Sequence, residues 1–193
     1  MGRNHAQGVR RRRPDAIVAI APATEEEIRM QREKAPAYLV VLRVLFTIGT
    51  LGAVCFIFGN SLQTNVVSGA RSSAAMEWLN ACMAWAGFGY RFSEYFVRKL
   101  AHLGEFMLLG FFLMLTLRVY TARLLAHLSW PLFFGLAIPV ADESLQLFSA
   151  GRSAKVSDIL IDFTGVLVGV GIALFLLLLV RMAVVLHRNH ALH

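Results

Sequence analysis

The chain has 193 residues, of which 57% are hydrophobic and only 16% charged, with 19 Lys and Arg against 12 Asp and Glu. A soluble domain of this length would be nearer half apolar and a quarter charged. Here the apolar residues lie in long blocks rather than in amphipathic alternation, which excludes an ordinary soluble enzyme and predicts an all-α integral membrane protein. The positive excess is local, with eight of the Lys and Arg before residue 38, so it describes a basic tail and not a nucleic-acid surface.

Residues 1–37 read as a cytoplasmic basic tail. Four arginines at 10–13 precede Pro14, and "TEEEIRMQREK" predicts a short helix with Thr24 as N-cap and Glu27 as its capping-box partner. Asp15 and Pro22 break the apolar piece after the arginines and disfavour a cleaved signal peptide. The first span is expected over about 38–58, with Arg43 one turn inside and able to snorkel to the interface. Residues 59–96 form a long connection, first polar and then aromatic. Trp78, Cys82 and Trp85 share a helical face there, which predicts an interfacial helix. Cys55 falls in a span and Cys82 in the connection, so neither a disulfide nor a cysteine metal site is expected.

The second span, about 97–117, opens with "VRKLAHLGEFMLLG". The third, about 124–141, contains Pro131 and Pro139 and is expected to kink or end early, because pre-proline positions disfavour helical geometry. It runs into "ADESLQLFSAGRSAKVSD". The fourth span, about 156–180, begins with Asp158 and Asp162, and residues 181–193 read as a second basic tail whose His187, His190 and His193 are solvated. The domain plan is thus a four-helix membrane bundle over 38–180 between two cytoplasmic tails. Counting Lys and Arg by side gives 13 against 6 when both termini are inside, which sets the preferred orientation.

In that orientation the polar residues of spans two to four converge at one depth on the outer side. Arg98, His102 and Glu105 follow i, i+4, i+7 spacing on one face of span two, beside Lys99. Asp142, Glu143 and Gln146 end span three, Arg152 lies in the turn, and Asp158, Asp162, Gly165 and Gly169 form one stripe on span four. The two glycines make a GxxxG that permits close helix approach. Any one of these polar residues reads more readily as interhelical glue than as a functional group. The set exceeds what helix registration needs, and intramembrane ionisable groups point to a functional site.

These residues carry a family resemblance. "RKLAHLGEFMLLG" resembles the first motif of the VanZ-like membrane proteins, and "ADESLQLFSAGRSAKVSDILIDFTGVLVG" is similar to their second, longer one. The resemblance spans roughly 38–180 and is strongest over 98–169. Two positions depart from it: Phe106 stands where Tyr is expected and Asp162 where Asn is expected. The resemblance implies a multi-pass protein of the bacterial inner (plasma) membrane and a link to tolerance of glycopeptide antibiotics such as teicoplanin.

Two classes of function fit the sequence. In the first, an envelope protein acts on or binds a lipid-linked phosphate or peptidoglycan-related ligand at the outer face. Arg98, Lys99 and Arg152 would bind phosphate oxygens, His102 would serve as acid or base with Glu105 orienting it, and Asp158 would complete the catalytic set. Asp142, Glu143, Asp158 and Asp162 have the oxygen donors for a Mg²⁺-type ion, although no metal motif is present. In the second, the same cluster, with Gln146, is a non-catalytic site for a lipid or antibiotic, or part of a subunit of an envelope assembly. Membrane lipids are the expected partners in both. Nucleic acid is not, and oligomeric state is not fixed by the sequence.

Overall fold

Four apolar stretches dictate the architecture, because a backbone in hydrocarbon must satisfy its own hydrogen bonds and helices do so within one segment. The computed structural model describes residues 36–150 and 154–190. The predicted helix in the N-terminal tail therefore lies outside the described residues. The elements are α1 (Ala37–Ser61), α2 (Asn65–Trp85), α3 (Glu94–Tyr120), a 3₁₀ turn (Leu125–His127), α4 (Ser129–Gln146) and α5 (Val156–His190), with no strand among the described residues. The segments Ala37–Ser61, Glu94–Tyr120, Leu125–Gln146 and Val156–His190 are each long and apolar enough to cross a membrane. The chain is an all-α, multi-pass membrane protein.

Neighbouring spans run in alternating directions. Arg43 near the start of α1 donates to the Val119 carbonyl at the end of α3 (3.0 Å), and Asn60 at the end of α1 donates to Glu105 near the start of α3 (2.8 Å). Between them, the Thr50 and Thr116 hydroxyls bond at 2.9 Å. Arg43 thus reaches the carbonyl end of a helix, where a cation is favoured, and it also lies over the Tyr120 ring at 5.5 Å.

Helices α3 and α5 run in the same direction and touch backbone to backbone. A Cβ on Gly165 would meet the Leu103 carbonyl oxygen at 2.5 Å and the Phe106 Cβ at 3.2 Å. One on Gly169 would overlap the Met107 carbonyl, and one on Gly110 would overlap the Val166 carbonyl. The core lies along this seam, with Phe106, Leu109, Met114, Val166, Val170 and Ala173 buried. On the other flank, a Cβ on Gly135 of α4 would reach Val166 Cγ1 at 2.5 Å, so Val166 is gripped from two sides.

Three departures from the expected elements have local causes. First, α4 continues through Pro139 to Gln146 instead of ending early. Pro131 sits in its first turn, where a missing N–H costs nothing, and packed neighbours re-satisfy a proline-freed carbonyl in a membrane helix. Second, the helix expected in the aromatic half of the connection between the first two spans begins earlier, in its polar half, at Asn65. Thr64 caps α2 by accepting from Val67 N (3.5 Å), which carries the helix through the polar "NVVSGARSS". It ends in a Schellman arrangement: Phe88 N bonds to Met83 O (2.9 Å), Gly87 N bonds to Ala84 O (3.1 Å), and Gly87 has φ +82°. Asn80 then clamps the returning chain through both the N–H (2.7 Å) and carbonyl (3.2 Å) of Phe92, and Ser93 caps α3. Third, α5 carries on to His190, so residues 181–190 of the expected tail are its last turns. At 1.5 Å per residue α5 is about 52 Å long, well beyond the ~30 Å of a hydrocarbon core.

Candidate functional site

The alternating directions bring the end of α1, the start of α3, the end of α4 and the start of α5 to one end of the bundle. Charged and polar side chains at these four places meet because only there do they find partners.

Two cavities open at this end. One, of about 260 Å³, is lined by Asn65, Tyr95, Arg98, Lys99, His102, Glu143, Gln146, Lys155, Asp158 and Asp162. The other, of about 210 Å³, includes Asn60, Gln63, Arg71, Arg98, His102 and Glu105. His102 and Arg98 line both. Tyr95 frames the first cavity and also lies under the Lys99 ammonium, 5.6 Å from its ring centre.

The charges are matched pairwise. Lys99 Nζ forms a salt bridge to Asp158 Oδ2 across α3 and α5. Arg98 Nη2 bonds to Glu94 at 2.9 Å and Arg98 Nη1 to Asn65 at 3.1 Å, while Ser73 of α2 donates to the other Glu94 oxygen at 3.1 Å. Glu143 accepts the Lys155 backbone N–H at 2.9 Å and the Gln146 amide at 3.2 Å. Gln146 donates also to Asp142 Oδ2 at 3.1 Å, and the Ser61 hydroxyl donates to Asp142 Oδ1. Ser149 closes the ring by donating to the Ser61 carbonyl at 2.8 Å. Asp142, Glu143 and Asp162 are all at most 3% exposed.

Within this cluster one trio converges. His102, Asp142 and Asp162 each offer a ligand-type atom, and these atoms lie within 4.8 Å of one another. Asp162 Oδ2 is buried and has no hydrogen-bond partner among the described residues. The sequence-based Mg²⁺ set overlaps this trio in Asp142 and Asp162. Its other two members, Glu143 and Asp158, are engaged by the Lys155 N–H and by Lys99.

Of the site residues expected from sequence, Arg98, Lys99, His102, Glu143, Gln146, Asp158 and Asp162 line the larger cavity. Asp142 lies at 0% exposure behind it, bonded to Gln146. Glu105 faces the smaller cavity, where it accepts from Asn60. Gly165 and Gly169 lie on the α3–α5 contact. Arg152 lies outside the described residues. Sequence reasoning missed Asn60, Ser61, Asn65, Tyr95 and Lys155. For the first three, the signal was the polar run "GNSLQTN" directly after an apolar span, a place where side chains are well placed to cap and buttress a charged cluster.

The comparison with known families meets this geometry. The VanZ/LLP1 family model matches residues 44–179, which is most of the chain and includes every site residue from Asn60 to Gly169, and the chain belongs to that family. It is a membrane protein of a family linked in general to glycopeptide resistance. No curated protein and no solved structure matches it.

Proposed function

We propose that this VanZ/LLP1 protein recognises the phosphate of a lipid-linked envelope ligand at the outer face of the bacterial plasma membrane. The observation that carries the reading is the larger cavity, in which Arg98, Lys99 and Lys155 stand beside His102 at one end of a membrane bundle. Phosphate headgroups lie where membrane helices end, and cations at that depth supply charge-assisted hydrogen bonds to phosphate oxygens. Size argues in the same direction. Pockets that enclose drug-sized ligands run to about 300–1,000 Å³, and a cavity of about 260 Å³ suits a headgroup rather than an entire glycopeptide.

His102 is the residue that separates action from binding. It lines both cavities and is the one histidine among the described residues of either lining. A chemical role makes it the acid or base at the phosphate; the non-catalytic alternative, a lipid- or antibiotic-binding subunit of an envelope assembly, needs only the cations.

The test is binding of a short-chain polyprenyl phosphate to the full chain in nanodiscs. Each charge-assisted hydrogen bond is worth about 1.5–3 kcal/mol, so Lys99→Met and Lys155→Met should each weaken binding by about tenfold or more. Equal binding by wild type and both variants rules the reading out. If turnover of the phosphate is seen, His102→Asn should abolish it while leaving lipid bound.

A further inference from the structure

The geometry points to a divalent metal site, of the transition-metal type, formed by His102, Asp142 and Asp162. Three helices supply it: His102 from α3, Asp142 from the last turns of α4 and Asp162 from the second turn of α5. Their ligand-type atoms lie within 4.8 Å of one another. Donor atoms about 2.0–2.2 Å from a tetrahedral ion lie about 3.3–3.6 Å from one another, so the three need to close only by about an ångström to share one.

A cluster of carboxylates is common without an ion, and here a separate observation singles this one out. Asp162 is 1% exposed, and its Oδ2 has no hydrogen-bond partner among the described residues. A buried carboxylate oxygen left without a partner is costly. The nearby cation on α3 does not relieve it, because the Lys99 ammonium is held by Asp158. Asp142 is oriented from behind by Ser61 and Gln146, the outer hydrogen bonding that ligating carboxylates receive.

The donor set defines the ion. One imidazole nitrogen with two carboxylates suits Zn²⁺ or Mn²⁺, whereas Mg²⁺ prefers oxygen alone. Three protein ligands also leave a coordination position open, as in catalytic rather than structural zinc sites. The inference stands on this trio, with its two buried carboxylates, and holds whether or not a lipid phosphate is the ligand of the larger cavity.

The test uses the full chain, carried on a tag without histidines and stripped with chelator. His187, His190 and His193 are replaced by alanine in the parent so that the C-terminal histidines take up no metal. Calorimetry with Zn²⁺, Mn²⁺ and Mg²⁺, with metal analysis after dialysis, should show about one Zn²⁺ or Mn²⁺ per chain and weaker Mg²⁺ binding. Asp162→Asn and His102→Ala should each weaken binding by about tenfold or more. Melting in chelator shows whether each variant is folded, and addition of metal should raise the melting temperature of the parent but not of Asp162→Asn. If Asp162→Asn does not fold, His102→Ala reads the same claim. No stoichiometric uptake by the parent, uptake by folded His102→Ala or Asp162→Asn equal to the parent's, or a preference for Mg²⁺ overturns the site.

Discussion

An ionised side chain near hydrocarbon costs on the order of 2.5–3.5 kcal/mol at a helix centre, and Lys99 and Asp158 offset that cost by meeting each other. Each keeps about a fifth of its side chain accessible, 19% and 20%. A fully buried pair loses about 3–5 kcal/mol when one partner is removed, because the other charge is stranded. Partial exposure should bring the loss for Lys99→Met to about 2 kcal/mol, read as a lower melting temperature in detergent. Lys99→Met combined with Asp158→Leu should recover most of that loss, since neither charge remains. A double variant whose loss equals the sum of the two singles would show that the pair is not coupled. Asp162 is a different case. It stands where the family resemblance places Asn, and it brings to this chain a carboxylate whose Oδ2 has no hydrogen-bond partner among the described residues.

Between elements, the decisive contact is the α3–α5 seam, and small residues set it. Without a hydrophobic driving force inside the membrane, helices associate through close packing. Gly169 lies against the Met107 carbonyl and the Phe111 N–H, backbone groups that cannot rotate away. Gly171, two residues on, has open space where a methyl group would stand, with nothing within 4 Å. Gly169→Ala should therefore destabilise by about 1–3 kcal/mol, the range for overpacking, and Gly171→Ala should leave the melting temperature unchanged or slightly higher. Equal melting of the two variants would show that the seam does not set stability. The glycine stripe of α5 was legible from its spacing. Its counterpart on α3 was not, because Gly110 is used and Gly104 is open, and no motif distinguishes them. The full length of α4 was hidden for a related reason. Pre-proline bias is a local preference, and the packing around buried Pro139 overrides it.

At the scale of the molecule, alternating helices turn a sequence pattern into a site. The common depth of "RK..H..E", "DE..Q" and "D...D" was readable from span order alone. What spacing could not give was pairing: that Asp158 meets Lys99, that Glu143 meets the Lys155 N–H, and that Asp142 and Asp162 converge on His102. Those depend on helix rotation, which the glycine seam fixes. Orientation is a further consequence of the same pattern. Arg43, Arg118 and Arg123 lie at the end opposite the site, and with both tails assigned to that side from the sequence it carries 13 of the 19 Lys and Arg. Cytoplasmic loops carry the cationic excess, so the site end should face outward. In a background with Cys55 and Cys82 replaced by serine, a cysteine at Phe148, 84% exposed beside the site, should react with a membrane-impermeant maleimide added to intact cells. A cysteine at His190, at the far end of α5, should react only after the cells are opened. The reverse labelling would turn the bundle over. The Lys99–Asp158–His102 cluster would then face the cytoplasm, and an outer-face lipid phosphate could not be its ligand.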